Sequence, residues 1–270
     1  MRPIITLTTD FGIRDSYVGV MKGVILGICP TAHLVDITHT ITPQNVVEAA
    51  FVLQSVVPYF PVGTVHLVVV DPGVGSQRRA VALTTPRARY VGPDNGVFGP
   101  VWQDARSRWA PAEVRAVELK VPRFWRPQIS TTFHGRDIFA PVAAHLAAGI
   151  ALREFGPALD TLEVAAIPEP VREPDGSLRG SIIYVDHFGN CVSSIAVAHL
   201  DWLGPHRELD VTVGDHSVGT IQRTYADVAP GTPLALIGSS GRLELALRNG
   251  HASQSLGIVA GEIVRVRRVS

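Results

Sequence analysis

Hydrophobic residues in the first half of the chain fall into two alternating rhythms. The run IITLTT (4–9) is apolar and β-branched and predicts a strand. Within residues 16–28, Val18, Met21, Ile25 and Ile28 recur at helical spacing, and Cys29-Pro30 ends the pattern. LVDIT (34–38) predicts a second strand. From Pro43, VVEAAFVLQSVV predicts a second helix, closed by Pro58 and Pro61. VHLVVV (65–70) is continuously apolar apart from His66, as a strand buried on both faces requires. AVALTT (80–85) and RYVG (89–92) read as further strands, and residues 136–149 as a later helix. Strand and helix in alternation predict an α/β domain with a largely parallel sheet.

Past residue 165 the rhythm changes. AAIPEPVREPDGSLRG (165–180) is dense in proline and Asp-Gly turn signals and reads as a linker. The expected domains are therefore 1–165 and 180–270, with 166–179 between them. Period two then takes over: Leu209, Val211 and Val213 share one face, and residues 243–247 and 263–269 alternate in the same way. A smaller antiparallel, barrel-like β domain is predicted.

Composition narrows the functional classes. The 270 residues are 46% hydrophobic and 18% charged, enough to bury a sizeable core. Lys+Arg and Asp+Glu both number 24, so no basic field is available for a nucleic-acid backbone or an anionic membrane. No apolar run approaches a bilayer span. The start, MRPIITLTTDF, reads as a first strand rather than a signal peptide. Cys29 and Cys191 stand far apart in no metal-type spacing, as expected of free thiols in a reducing cytoplasm. Ten scattered histidines without H-x-H or H-E-x-x-H argue against a metallohydrolase.

Candidate chemistry sits at strand ends. Asp71 follows the strand 65–70, where open α/β sheets bind ligands. Its loop, DPGVGSQRR, is not a dinucleotide fingerprint, because the third glycine position holds Arg78, and no Gly-Lys-Ser/Thr follows. Asp10 ends the first strand in TTDFG. Asp94 and Asn95 lie in GPDNGVFGP after another strand, and His134 lies in TTFHGRD just before a helix. Each suits a turn former on its own. Together, at one end of one sheet, they predict a ligand site.

TTDFG, VVDPGVGSQRR, GPDNGVF, TFHGRD and the later VDHFGN (185–190) occur in one order across almost the whole chain. In this they resemble the S-adenosyl-L-methionine hydrolase (adenosine-forming) family, also called SAM hydroxide adenosyltransferase, which is related to the SAM-dependent fluorinase and chlorinase. The resemblance implies an α/β N-terminal and a barrel-like C-terminal domain. It also implies a homotrimer with the substrate between subunits, and S-adenosylmethionine (SAM) as substrate with no cofactor. By motif it implies a catalytic set of Asp71, Arg78 and His134 that delivers water or hydroxide to ribose C5′. Arg78 rather than its neighbour Arg79 is chosen on its spacing from Asp71.

Asp10 is implied to hold the ribose hydroxyls, with Asp94 and Asn95 in the substrate-binding set. In the second domain the resemblance assigns Asp186 to the methionine amino group, Phe188 to stacking on adenine and Asn190 to its edge. Ser239 and Ser240 fall in the region contacting the methionine carboxylate, and Ser240 stands where a fluorinase has arginine. Arg248 and Asn249 fall near adenine. A SAM-dependent halogenase and a non-catalytic SAM or adenosine binding module are the alternatives. The halogenating relatives lack the Asp-Arg-His set, and a binding module would give it no work.

Overall fold

In the computed structural model, which describes residues 2–164 and 167–269, the first half of the chain builds a seven-stranded sheet. Its strands are β1 (Ile4–Thr9), β2 (His33–Thr38), β3 (Val65–Val69), β4 (Ala80–Thr84), β5 (Arg89–Pro93), β6 (Arg115–Glu118) and β7 (Ala158–Leu159), in the order β2-β1-β3-β5-β4-β6-β7. β2, β1, β3 and β5 run parallel. β4, β6 and β7 extend the sheet in antiparallel fashion. All five residues of β3 are buried, which is why that stretch shows no alternation.

Four helices join these strands: α1 (Tyr17–Ile28), α2 (Val46–Val56), α3 (Gly99–Arg108) and α4 (Ala140–Ala147). Met21 and Ile25 of α1 and Val142, Ala143 and Leu146 of α4 share one core with Ile5, Leu7, Leu67 and Val69. The second helix starts later than Pro43 suggested, because Asn45 caps it by accepting a hydrogen bond from Glu48 N at 3.0 Å. The chain leaves β1 through α1 towards β2, and leaves β3 in the opposite direction towards β4 and β5. The carboxyl ends of β1 and β3 therefore flank a topological switch point.

The chain divides into two compact units, Met1–Ala165 and Ala166–Ser270. Part of the stretch read as a linker is structured. β8 (Val171–Arg172) pairs with β9 (Leu178–Val185), and the Asp175-Gly176 signal is the turn between them, held by Ser177 N and Oγ donating to Asp175.

The second unit continues with β10 (Cys191–Ala196), β11 (Leu209–Val213), β12 (His216–Gln222), β13 (Pro233–Ile237), β14 (Arg242–Leu247) and β15 (Ile263–Arg268). Seven of these strands, β10-β14-β13-β12-β11-β15-β9, close into a barrel through the β9–β10 pairing. Leu209, Val211 and Val213 point into its core. The barrel is mixed rather than antiparallel: β12 and β13 run parallel, because residues 223–232 carry the chain back across instead of closing a hairpin.

Candidate active site

Asp71 stands one residue beyond the end of β3, after Val70, and the Pro72–Gln77 loop returns the chain so that Arg78 faces it. Arg78 Nε donates to Asp71 Oδ1 at 2.9 Å and Nη2 to Oδ2 at 2.5 Å, a two-pronged pair with side chains only 10% and 5% exposed. The same Nη2 lies 2.8 Å from His134 Nδ1. Arginine only donates, so Nδ1 is the acceptor and the neutral ring carries its proton on Nε2. The guanidinium also lies over the Phe139 ring, 5.2 Å from its centroid. Consecutive arginines point to different partners, since Arg79 donates to Asp94 instead.

Two loops must approach closely to bring Arg78 and His134 together. Gly75 (φ +79°) is the point of contact: a Cβ there would come within 2.6 Å of Thr131 O. The His134 loop is fastened from below by buried Asp137, which accepts from Ser130 N at 2.8 Å and pairs with Arg136. After His134 the backbone makes a π-helical turn, Gly135–Phe139, before α4. Pro141 explains it. Proline has no N–H to give to the carbonyl of Asp137, which instead accepts from Arg126 N at 2.9 Å.

Burial lowers the His134 pKa below the ordinary histidine value. The Arg78 charge lowers it further, against the opposing pull of Asp71 and Asp137. His134 is therefore neutral at neutral pH. The Asp137 carboxyl is held below its usual range: burial opposes its ionisation, but Arg136 and the Ser130 N–H outweigh burial.

A cavity of about 420 Å³ opens at the switch point, and its walls include Asp10, Asp71 and His134. Asp10 accepts a hydrogen bond from Gln44 N at 2.8 Å. The turn after Asp10 is fixed by a chain that sequence reasoning missed. Gly12 N donates to His39 O at 2.7 Å, His39 Nδ1 lies 3.0 Å from Thr9 Oγ1, and its Nε2 lies 3.0 Å from Asp36, which Lys22 holds at 2.6 Å. Phe11, Tyr17 and Phe133 also line the cavity and were not singled out from the sequence. Phe11 and Phe133 each stand beside a predicted site residue, and an aromatic ring in a polar strand-end loop was the available signal.

Asp94 and Asn95 stand apart from this cavity, and both are used structurally. Asp94 Oδ2 accepts from Arg79 at 2.7 Å and Oδ1 from Glu163 N at 2.9 Å. Burial still raises the Asp94 pKa despite these partners. Asn95 Nδ2 donates to Val70 O at 2.8 Å and braces the end of β3.

In the second unit, Asp186, Phe188 and Asn190 share the β9–β10 turn. Asp186 Oδ1 accepts from Phe188 N and Asn190 N at 2.9 and 2.8 Å, and its Oδ2 accepts from Asn190 Nδ2 at 2.9 Å. This closed loop leaves Phe188 71% exposed. Ser239 and Ser240 form the exposed tip between β13 and β14. The guanidinium of Arg248 donates to Ala226 O and Val228 O, and Asn249 is exposed with φ +57°. Among the described residues no group of three or more His, Cys, Asp or Glu is placed to hold a metal ion, and no helix is long and apolar enough to cross a membrane.

A sheet with a parallel core and charged loops at its switch point, followed by a mixed barrel, defines a class that comparison with known proteins makes specific. Residues 5–156 match the SAM hydroxide adenosyltransferase N-terminal domain and residues 180–265 its C-terminal domain. The chain belongs to the SAM hydroxide adenosyltransferase family. It is 39% identical over 265 residues to the (R)-S-adenosyl-L-methionine hydrolase of Salinispora arenicola, covering 98% of this chain and 97% of that protein. It is also 39% identical to the protein of the same name from Thermus thermophilus, covering 98% of this chain and all of the other. A fluorinase from Actinoplanes is 30% identical over 297 residues, with 98% of each chain covered. A crystal structure of a conserved protein from Thermotoga maritima superimposes with a TM-score of 0.87 at 37% identity, covering 97% of this chain and 99% of that one.

Proposed function

We propose that the protein hydrolyses S-adenosyl-L-methionine to adenosine and L-methionine. The observation that carries this reading is the hydrogen-bonded set Asp71–Arg78–His134, held beside Asp10 at the switch point. In the proposed reaction a water oxygen forms a bond to ribose C5′ as the C5′–sulfonium bond breaks. The bonding pair passes to sulfur, and neutral methionine leaves. A sulfonium is already a good leaving group, so no general acid and no cofactor are needed. What the reaction lacks is a nucleophile.

Arg78 stays protonated and lowers the cost of hydroxide character on the attacking oxygen. His134 and Asp71 are the two members able to take the water proton, and His134 is kept neutral for that role. The Asp71–Arg78 pair is dry, so its geometry is set before substrate arrives. Asp10, free of any ion pair among the described residues, offers two carboxylate oxygens to the ribose hydroxyls.

In this reading the second unit supplies the remaining contacts, with Phe188 stacking on adenine and the Asp186–Asn190 turn and Ser239–Ser240 tip meeting the rest of the substrate. The working assembly is a homotrimer in the cytoplasm, whose subunits share each substrate. The two buried free cysteines agree with a reducing compartment.

The names of the curated relatives specify the R configuration, which with L-methionine fixed refers to the sulfonium sulfur. The test is incubation of the purified protein with each sulfonium epimer, followed by chromatographic measurement of adenosine and methionine. Equal release of both products from at least one epimer is expected, with the R epimer consumed faster. A folded protein that consumes neither epimer would overturn the reading.

A further inference from the structure

The cavity holds a feature that the water-delivering set does not use. Phe11, Tyr17 and Phe133 come from the turn after β1, the start of α1 and the loop before the π-helical turn, and all three line the same space. Their rings meet pairwise at centroid distances of 5.8, 5.8 and 5.3 Å and interplanar angles of 61°, 77° and 86°. Three rings in edge-to-face contact form a corner, and packing alone does not account for all of them: Tyr17 is 48% exposed. An aromatic ring carries a negative π face and a positive edge, so a cation entering the cavity is attracted to whatever face the edge-to-face contacts of this corner leave open.

We propose that Phe11, Tyr17 and Phe133 form a cation-binding corner that recognises the sulfonium of the substrate by its charge, and so discriminates it from the corresponding neutral thioether, which lacks the charge and the S-methyl group. The inference rests on the hydrolase reading for the identity of the cation, and the geometry selects its chemistry. The three rings line the same cavity as Asp10 and His134. A ligand whose ribose is held by Asp10 and whose C5′ faces His134 carries its sulfonium one bond from C5′. Phe133 already accepts one cation, the Arg136 guanidinium, 5.1 Å from its centroid. Tyr17 and Phe11 have no such partner among the described residues.

This assignment has a kinetic signature opposite to that of the catalytic set. Attack at C5′ discharges the sulfonium, so a π corner holds the ground state more tightly than the transition state. Losing it raises KM and leaves kcat unchanged or higher. It also favours turnover, because methionine leaves as a neutral thioether for which the corner has little affinity.

The test compares Tyr17→Leu, which keeps an apolar side chain and loses the ring, with Tyr17→Phe, which keeps the ring. Binding of S-adenosylmethionine and of S-adenosylhomocysteine is measured by calorimetry in a His134→Ala background, so that ligand is not consumed. Steady-state kinetics are measured with His134 present. Tyr17→Leu is expected to weaken sulfonium binding about 5- to 30-fold, leave thioether binding within about twofold and raise KM without lowering kcat. Tyr17→Phe is expected to restore most of the preference. Equal loss for both ligands, or an unchanged preference, would reduce the rings to packing and overturn the proposal. Sulfonium preference without adenosine release would sustain the corner and sink the hydrolase reading. Adenosine release without sulfonium preference would do the reverse. Binding of neither ligand would defeat both.

Discussion

The two candidate clusters are built on opposite plans. In the first unit, Asp71 and Arg78 are almost dry, locked by two parallel hydrogen bonds and joined to His134 by a third. In the second, Asp186 and Asn190 spend their polar groups on each other and hold Phe188 out into solvent. Groups that must steady a developing hydroxide gain from being fixed and desolvated in advance, because no reorganisation is then left for the moment of reaction. A ring that stacks on a base gains from being open. In the proposed reading, the preorganised charge of the first cluster is where water is delivered, and the exposed Phe188 ring on its rigid turn is where adenine stacks.

The comparison breaks first at His134. His134→Ala should lower kcat by about 10²–10⁴ while SAM binding changes only severalfold. A loss confined to thermal stability would remove His134 from the chemistry. Next comes the dry interior on which the first cluster stands. His66 is fully buried, bonded to Thr6 Oγ1 at 2.8 Å and stacked on Tyr90, and burial pushes its pKa down to about 4. Folding favours the neutral ring, so the stabilisation is complete above the unfolded value near 6.5 and is lost as pH falls towards 4. The loss should reach about 3 kcal/mol. Chemical denaturation at pH 7 and pH 4.5 should show that loss in the wild type and a shallower one in His66→Leu. Equal slopes in both proteins would contradict it.

Asp10→Ala should raise KM about 10- to 100-fold, since a charged acceptor of two hydroxyl bonds is removed, with a smaller change in kcat. Phe188→Ala should leave the melting temperature within a degree or two, because the ring is exposed. It should weaken SAM binding about tenfold if the ring stacks on adenine. A large stability loss would mean that Phe188 is packed rather than presented. The smallest effect is a titration: NMR of the His134 ring should show a pKa below the ordinary value, rising in Arg78→Gln as the neighbouring charge is lost. No rise would mean that burial acts alone.

Much of this was readable from residues. β1 and β3 are almost wholly buried strands, and each is followed within two residues by the aspartate that its motif singles out. The Arg78 choice followed from spacing, and in the fold it is Arg78 that meets both Asp71 and His134. Other features depended on tertiary partners. Asp94 looked like another strand-end ligand, but Arg79 and the backbone of Glu163, 69 residues away, occupy its carboxylate. α3 went unpredicted because its buried apolar contacts are few, Val101, Trp102 and Ala105 set among polar and charged residues. The parallel β12–β13 pair depends on a crossing that no turn signal announces. The aromatic corner was hidden in the same way: its rings are 6 and 116 residues apart along the chain, from Phe11 to Tyr17 and from Tyr17 to Phe133.

The central claim is that the preorganised Asp71–Arg78–His134 set delivers water to C5′. Incubation with S-adenosylmethionine in H₂¹⁸O, with and without chloride or fluoride, tests it most directly by mass spectrometry. The account predicts adenosine carrying one ¹⁸O at the 5′ position and unlabelled methionine, unaffected by halide. A 5′-halonucleoside, or adenosine without the label, would contradict it.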